Sequence, residues 1–215
     1  MAGAGAPPRA VERRQRPERQ RLSGELALFP LHTVLFPGGR LPLRIFEQRY
    51  MDMAKTCLKD NAPFGVCLIQ HGNEVGEPAV PVGVGCVARI AEWDMPQLGL
   101  LQVSVRGESR FRILERRVQA DGLVRASIEL LPEEGDGPVP EALARYVKLL
   151  ERVTEQNPAL LERPHQLDSS AWVSARLAEL LPLPLEAKQA LLETGNGRAR
   201  LEKLDALIRS EPNKV

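Results

Sequence analysis

Residues 28–50, LFPLHTVLFPGGRLPLRIFEQRY, decide the fold. Within them Leu41, Leu43 and Ile45 alternate with Arg40, Pro42 and Arg44, the two-residue period of a strand with one buried face. Pro37-Gly38-Gly39 supplies the break before it, because proline fixes φ and glycine accepts positive φ. From Phe46 the period lengthens and predicts a helix over about 47–59. Tyr50, Met53, Cys57 and Leu58 then share one side, with Glu47, Arg49, Asp52 and Lys55 mostly on the other.

Outward from this stretch, Leu26-Ala27-Leu28-Phe29 opens the fold as a short strand, and Asn61-Ala62-Pro63 ends the helix. FGVCLIQ (64–70) is an apolar strand buried on both faces, followed by a loop over 71–81. Residues 82–131 read as a β-meander. Strands over 84–93 and 98–106 are joined by Asp94-Met95-Pro96-Gln97, and strands over 111–118 and 123–130 flank the hairpin signal Asp121-Gly122. Residues 132–138 are acidic and rich in glycine and proline, and the domain boundary falls there. Beyond it the pattern is helical: 141–156, a helix capped by Asp168 or Ser169, one opened by Leu183-Pro184 and stopped at Gly195, and 198–210. Four helices with short links make a small bundle. The class is α+β: an arginine-rich arm over 1–24, a β subdomain over 25–131, a linker over 132–138 and a helical subdomain over 139–211.

Charge is unevenly spread. The net charge is +1, but residues 1–24 hold six arginines against two glutamates, so the remainder is mildly acidic. That arm is too poor in apolar groups to offset its ordering entropy and reads as disordered, or as an over-extended start. An acidic folded part with 4% aromatic residues is poorly suited to phosphate backbones or to stacking single-stranded bases. The three cysteines form no CxxC pair, and the three histidines offer no zinc-ligand spacing. Cys67 with His71 reads first as a core cysteine before a loop histidine, and only second as a ligand pair. No apolar run reaches the roughly 18 residues that span a bilayer. With no secretory signal and an odd cysteine count, the expected location is cytoplasmic.

PLHTVLFPGGRLPLRIFEQRYMDM closely resembles the opening of the Lon N-terminal domain, the substrate-binding module at the front of Lon-type ATP-dependent proteases. VGVGCVARIAEW followed by LLQVSVRGESRFRILE resembles that family's VG-led strand and G-x-x-RF turn. LPLPLEAKQALLETGNGRARLEKLDALI resembles the domain's helical end. The resemblance covers about 25–210. It implies a PUA-like six-stranded β pseudo-barrel followed by the helical bundle, and a non-catalytic module that binds exposed apolar or unfolded protein segments, as an adaptor in proteolysis or quality control.

The chemistry of a full Lon protease is not in this sequence. No G-x-x-x-x-G-K-[ST] occurs to cradle phosphates, and no serine has a G-x-S-x-G setting. Ser174, His165 and Asp168 are a triad on paper only, since Asp168 and Ser169 read better as a helix cap. The expectation is therefore no enzyme, no cofactor and no metal. A client segment would lie in a groove between barrel and helices, or along a free strand edge. The candidate contact surface is Leu41, Leu43, Ile45, Phe46, Glu47, Arg49 and Tyr50, with Trp93 and Met95 on the 94–97 turn; Leu41, Leu43, Ile45 and Tyr50 read as core first. A separate protease or chaperone is the expected further partner. The alternative reading is a PUA-like nucleic-acid or nucleotide-binding module using Arg106, Arg110, Arg112, Arg116 and Arg117.

Overall fold

The computed structural model describes residues 25–133 and 135–210; the arm over 1–24 lies outside the described residues, as do Glu134 and 211–215. The elements run β1 (Leu26–Leu31), β2 (Arg40–Ile45), α1 (Gln48–Asp60), β3 (Phe64–His71), β4 (Val80–Gln97), β5 (Leu100–Val118) and β6 (Val124–Leu131). A single 3-10 turn (Glu141–Leu143) leads into α2 (Ala144–Gln156), α3 (Ser170–Leu180), α4 (Leu185–Leu192) and α5 (Gly197–Ser210). The class is α+β, as the sequence indicates.

β1 pairs parallel with β3, β3 antiparallel with β4, and β4 antiparallel with β5. The far half of β5 pairs with β6, which returns to β1. Five strands thus close a ring through the length of β5. β2 pairs only with the near half of β5 and hangs outside as the terminal strand of the sheet. The expected six-stranded barrel is therefore a five-stranded ring with one marginal strand. β1 and β3 are apolar runs because both of their faces are covered. Tyr50, Met53, Ala54 and Cys57 of α1 pack with Leu43, Ile45 and Val103, and Tyr50 stacks on Phe29 at 4.1 Å between ring centroids. The helix stops at Asn61, which takes the left-handed conformation (φ 48°).

Three local expectations are corrected. Residues 94–97 are not a turn but the end of β4, and the chain reverses at Leu98-Gly99, where Gly99 has φ +84°. Pro96 is tolerated in a strand there because β3 pairs with β4 only as far as Ala88, so its amide side has no partner to lose. The strands over 98–106 and 111–118 are one, and no turn separates them. β5 passes through Gly107, whose backbone exchanges hydrogen bonds with Gly38 (2.8 Å) and Gly39 (2.9 Å); a Cβ there would overlap the Phe36 carbonyl oxygen. Arg49 is not on the outer side of α1. It is buried, donates to the Gly122 carbonyl (3.2 Å) and to Glu47 Oε2 (2.9 Å), and lies over the Tyr50 ring. The Asp121-Gly122 hairpin stands, with Gly122 at φ +83° and the Asp121 carboxylate accepting from the Leu123 amide.

The helices close a second core. Leu150, Val173, Leu177, Leu191, Leu201 and Leu204 pack with Val34, Phe36, Leu68 and Val84 of the β layer. Ser169, of the two cap candidates, is the N-cap of α3, accepting from the Trp172 amide at 3.0 Å. α4 ends at Leu192, before Gly195. The connection over 132–138 is pinned at both ends. Glu133 accepts from Arg200 at 2.8 Å, and Asp136 accepts from the Ala171 amide (3.0 Å) and the Ser169 hydroxyl (2.8 Å). Arg200 is 1% exposed and also donates to the carbonyls of Leu191 and Thr194. Arg110, from β5, donates to the carbonyls of Leu192 and Pro132.

Candidate functional site

β2 is built to be a margin. Its inward row, Leu41, Leu43 and Ile45, is set by the alternation and pairs with Val105, Val103 and Leu101. Its intervening Pro42 lacks an amide hydrogen and is accommodated where one strand side has no ladder to join. Among the described residues no strand pairs with the outer side of β2. Two hollows flank it. One of about 650 Å³ lies against Pro42–Arg44, Glu92–Asp94 and Gln102–Ser104. The other, about 300 Å³, is bounded by Phe29, Leu31, Pro42–Glu47, Tyr50, Glu74 and Val75.

The nine candidate residues divide. Ile45 and Tyr50 are core, Leu43 is buried and shows only an edge to both hollows, and Leu41 is half-buried and opens instead onto a cleft beside the helices. Arg49 is buried against Tyr50 and lines neither hollow. Glu47 lines the smaller hollow, accepting from Arg49 and from the Gly76 amide at 3.3 Å. Phe46 is 56% exposed at that hollow and Trp93 59% exposed at the other. Met95 is exposed farther along the β4–β5 hairpin, and Leu98 at its tip is 98% exposed. β2 therefore has one exposed aromatic side chain at its end, Phe46, and a second, Trp93, two strands away on β4. Sequence reasoning missed Val75, an exposed apolar residue in the loop after β3, and Leu98. A valine amid Glu74, Gly76 and Glu77 is a signal of that kind, since nothing in its neighbourhood could bury it.

A cleft between barrel and helices is also present, about 520 Å³, but it is not uniformly apolar. Val34, Leu35, Leu41, Leu160 and Leu161 line it together with Arg163, Arg176, Glu179 and Lys188. Burial raises the Glu179 carboxyl to about 7, although Arg176 beside it pulls the other way. Burial likewise lowers the Lys188 ammonium.

The other sequence candidates are dispersed. The Ser174 hydroxyl donates to the Ala171 carbonyl and lies beside Arg200, while His165 contacts the Leu161 carbonyl and Trp172. Cys67 is buried in the core, where burial drives its thiol well above the ordinary range, and His71 is exposed. Of the five arginines proposed for nucleic acid, Arg110 is buried, Arg117 is held by Glu25, Arg112 lies 3.6 Å from Glu129 and Arg106 3.8 Å from Glu162. Among the described residues no group of three His, Cys, Asp or Glu side chains is placed to hold a metal, and no helix is long and apolar enough to cross a membrane.

Comparison with known proteins gives a consistent answer. The family model for the ATP-dependent protease La (LON) substrate-binding domain matches residues 25–210. A Lon protease of Anaeromyxobacter dehalogenans is 32% identical over 192 residues, covering 85% of this chain and 23% of its own length. The chain spans about a quarter of the length of the curated relatives it matches. The crystal structure of a Lon N-terminal domain protein from Xanthomonas campestris superposes with a TM-score of 0.72 at 36% identity, covering 86% of this chain and 98% of that one. The N-terminal domain of a Mycobacterium avium complex Lon protease shares the fold, with a TM-score of 0.63 at 18% identity, covering 89% of this chain and 100% of the other. The chain belongs to the Lon substrate-binding domain family.

Proposed function

We propose that the protein is a non-catalytic binding domain that holds extended, apolar segments of other polypeptides along the outer side of β2. The observation that carries this reading is the unpartnered β2 margin, with exposed Phe46 at its end and exposed Trp93 on the same sheet, across β5. A client strand placed there would hydrogen-bond to the open backbone, which is sequence-tolerant, and its alternate side chains would enter the flanking hollows. Apolar burial contributes about 25 cal/mol per Å². Phe46, Trp93, Met95 and the exposed part of Leu43 are the contact residues; Ile45, Tyr50 and Arg49 hold the strand and helix in position behind them.

Family membership supports a substrate-binding role, and we extend it to an adaptor in proteolysis or quality control. On this reading a separate protease or chaperone in the cytoplasm is the partner that acts on the held segment. The β layer (25–131) supplies the contact surface, and the helices over 139–210 brace it from the far core. The test is binding of an unfolded, carboxymethylated client protein to Phe46→Ala/Trp93→Ala. Loss of two aromatic contacts predicts affinity reduced by about ten-fold or more; unchanged affinity removes this surface from the function.

A further inference from the structure

We propose that the cleft between the β1–β2 connection and the helices is a second binding site, for a carboxylate borne on a short apolar chain, with Arg176 as its anchor. The cleft lies between residues 33–41 on one side and residues 158–163, α3 and α4 on the other. Arg176 is 3% exposed, yet its hydrogen-bonding capacity is largely unused. One terminal nitrogen, Nη2, donates to the Pro37 carbonyl (2.8 Å) and faces Glu179 Oε2 (3.1 Å). Its Nε is buried without a partner. Nη1 lies beside Gly38, a cleft-lining residue. Buried donors left unmatched are costly, so an acceptor entering here meets a site already desolvated and oriented.

Among the described residues nothing is placed to fill that role. Glu179, the nearest carboxylate, already spends Oε1 on the Phe36 amide (3.3 Å) and Oε2 on Nη2. Lys188 donates to the Glu179 backbone carbonyl (2.9 Å), which leaves its charge uncompensated by that bond. Arg163 at the rim adds a third cation, and among the described residues no carboxylate lies within ion-pair distance of it. A planar guanidinium fork favours a planar carboxylate. Glu162 and Glu179 on the same walls work against a dianion. Val34, Leu35, Leu41, Leu160 and Leu161 supply the walls for an apolar tail, and about 520 Å³ is a typical volume for a small-ligand site. The free C-terminus of a polypeptide ending in apolar residues and a short fatty acid both have this chemistry.

The experiment titrates the full chain with N-acetyl-leucyl-leucine as the free acid, the same dipeptide as its amide, and octanoate, read by calorimetry and by amide chemical shifts of residues 33–41. The acid is expected to bind about ten-fold or more tightly than the amide, the value of one charge-assisted hydrogen bond. Arg176→Ala is expected to abolish binding. Should that variant fail to fold, Arg163→Gln/Lys188→Met, at the rim, is expected to weaken the acid several-fold while still melting in one cooperative transition. Octanoate stronger than the peptide acid assigns the site to acyl acids, and the reverse order to peptide C-termini; either supports the proposal. Equal binding of acid and amide, no binding of either acid at millimolar concentration, or unchanged affinity in Arg163→Gln/Lys188→Met overturns it.

Discussion

Glu179 is the residue whose protonation the fold alters most legibly. Its side chain is 18% exposed, faces Arg176 on its own helix, Lys188 from α4 and the Cys86 thiol from β4, and has its carboxyl raised to about 7 by burial. A folded-state value above the unfolded one means that the fold favours the neutral form. The stability this contributes is complete below about pH 4.5 and is lost as the pH rises through about 7. Glu179→Gln, which keeps the neutral shape, should match wild type near pH 4 and gain on it by up to about 3 kcal/mol by pH 8. Urea denaturation at both pH values measures this, and a pH-independent difference contradicts it. Arg200 makes the opposite point, that charge is structural where partners surround it. Arg200→Ala leaves Glu133 only the more distant Arg110, at 3.7 Å, and frees two carbonyls, and should cost about 3 kcal/mol or more in the same assay. Neither role was legible in the sequence. Arg49 reads as the outer side of its helix and Arg110 as part of an exposed basic cluster, because periodicity registers polarity and not the distant carbonyls that accept from them; nothing in the sequence around Arg176 and Arg200 marks their burial either.

Among the elements, β2, β3 and the β5–β6 hairpin were readable, each from a local rule. Leu41, Leu43 and Ile45 alternate because one face of β2 is covered, and FGVCLIQ is continuous because both faces of β3 are. The β4–β5 turn was misplaced. Asp94 and Pro96 carry turn chemistry, but their strand has a partner on one side only, and the residue that requires positive φ is Gly99. The continuity of β5 was hidden for a related reason: Gly107 reads as a break, whereas its absent side chain admits the Phe36 carbonyl and keeps the strand running. Gly107→Ala should therefore lower stability by about 1–3 kcal/mol through overpacking against backbone. Gly83→Ala, with open space at its Cβ position, is the control and should change little. Equal effects of the two in denaturant titrations would contradict this account of β5.

At the scale of the whole molecule, the boundary at 132–138 divides the sequence more sharply than it divides the core. Val34, Phe36, Leu68 and Val84 of the β layer belong to the apolar cluster that the helices close, and Arg110 and Arg200 tie β5 and α5 to the connection between them. The protein should unfold in one step. The two tryptophans report separately, Trp93 from the β layer and Trp172 from α3. Single-tryptophan variants should melt at one temperature, and two separated midpoints would show that the parts are independent. The proposed binding surface is a whole-molecule property as well, since Phe46 and Val75 line one hollow beside β2, Trp93 lines the other from β4, and both hollows form only once the ring has closed and left β2 outside it. Hydrogen exchange of the backbone over residues 40–46, with and without a saturating unfolded client, tests that surface most directly. A client strand along β2 predicts slowed exchange there and no change in β3, whereas unaltered exchange over 40–46 with client demonstrably bound contradicts the account.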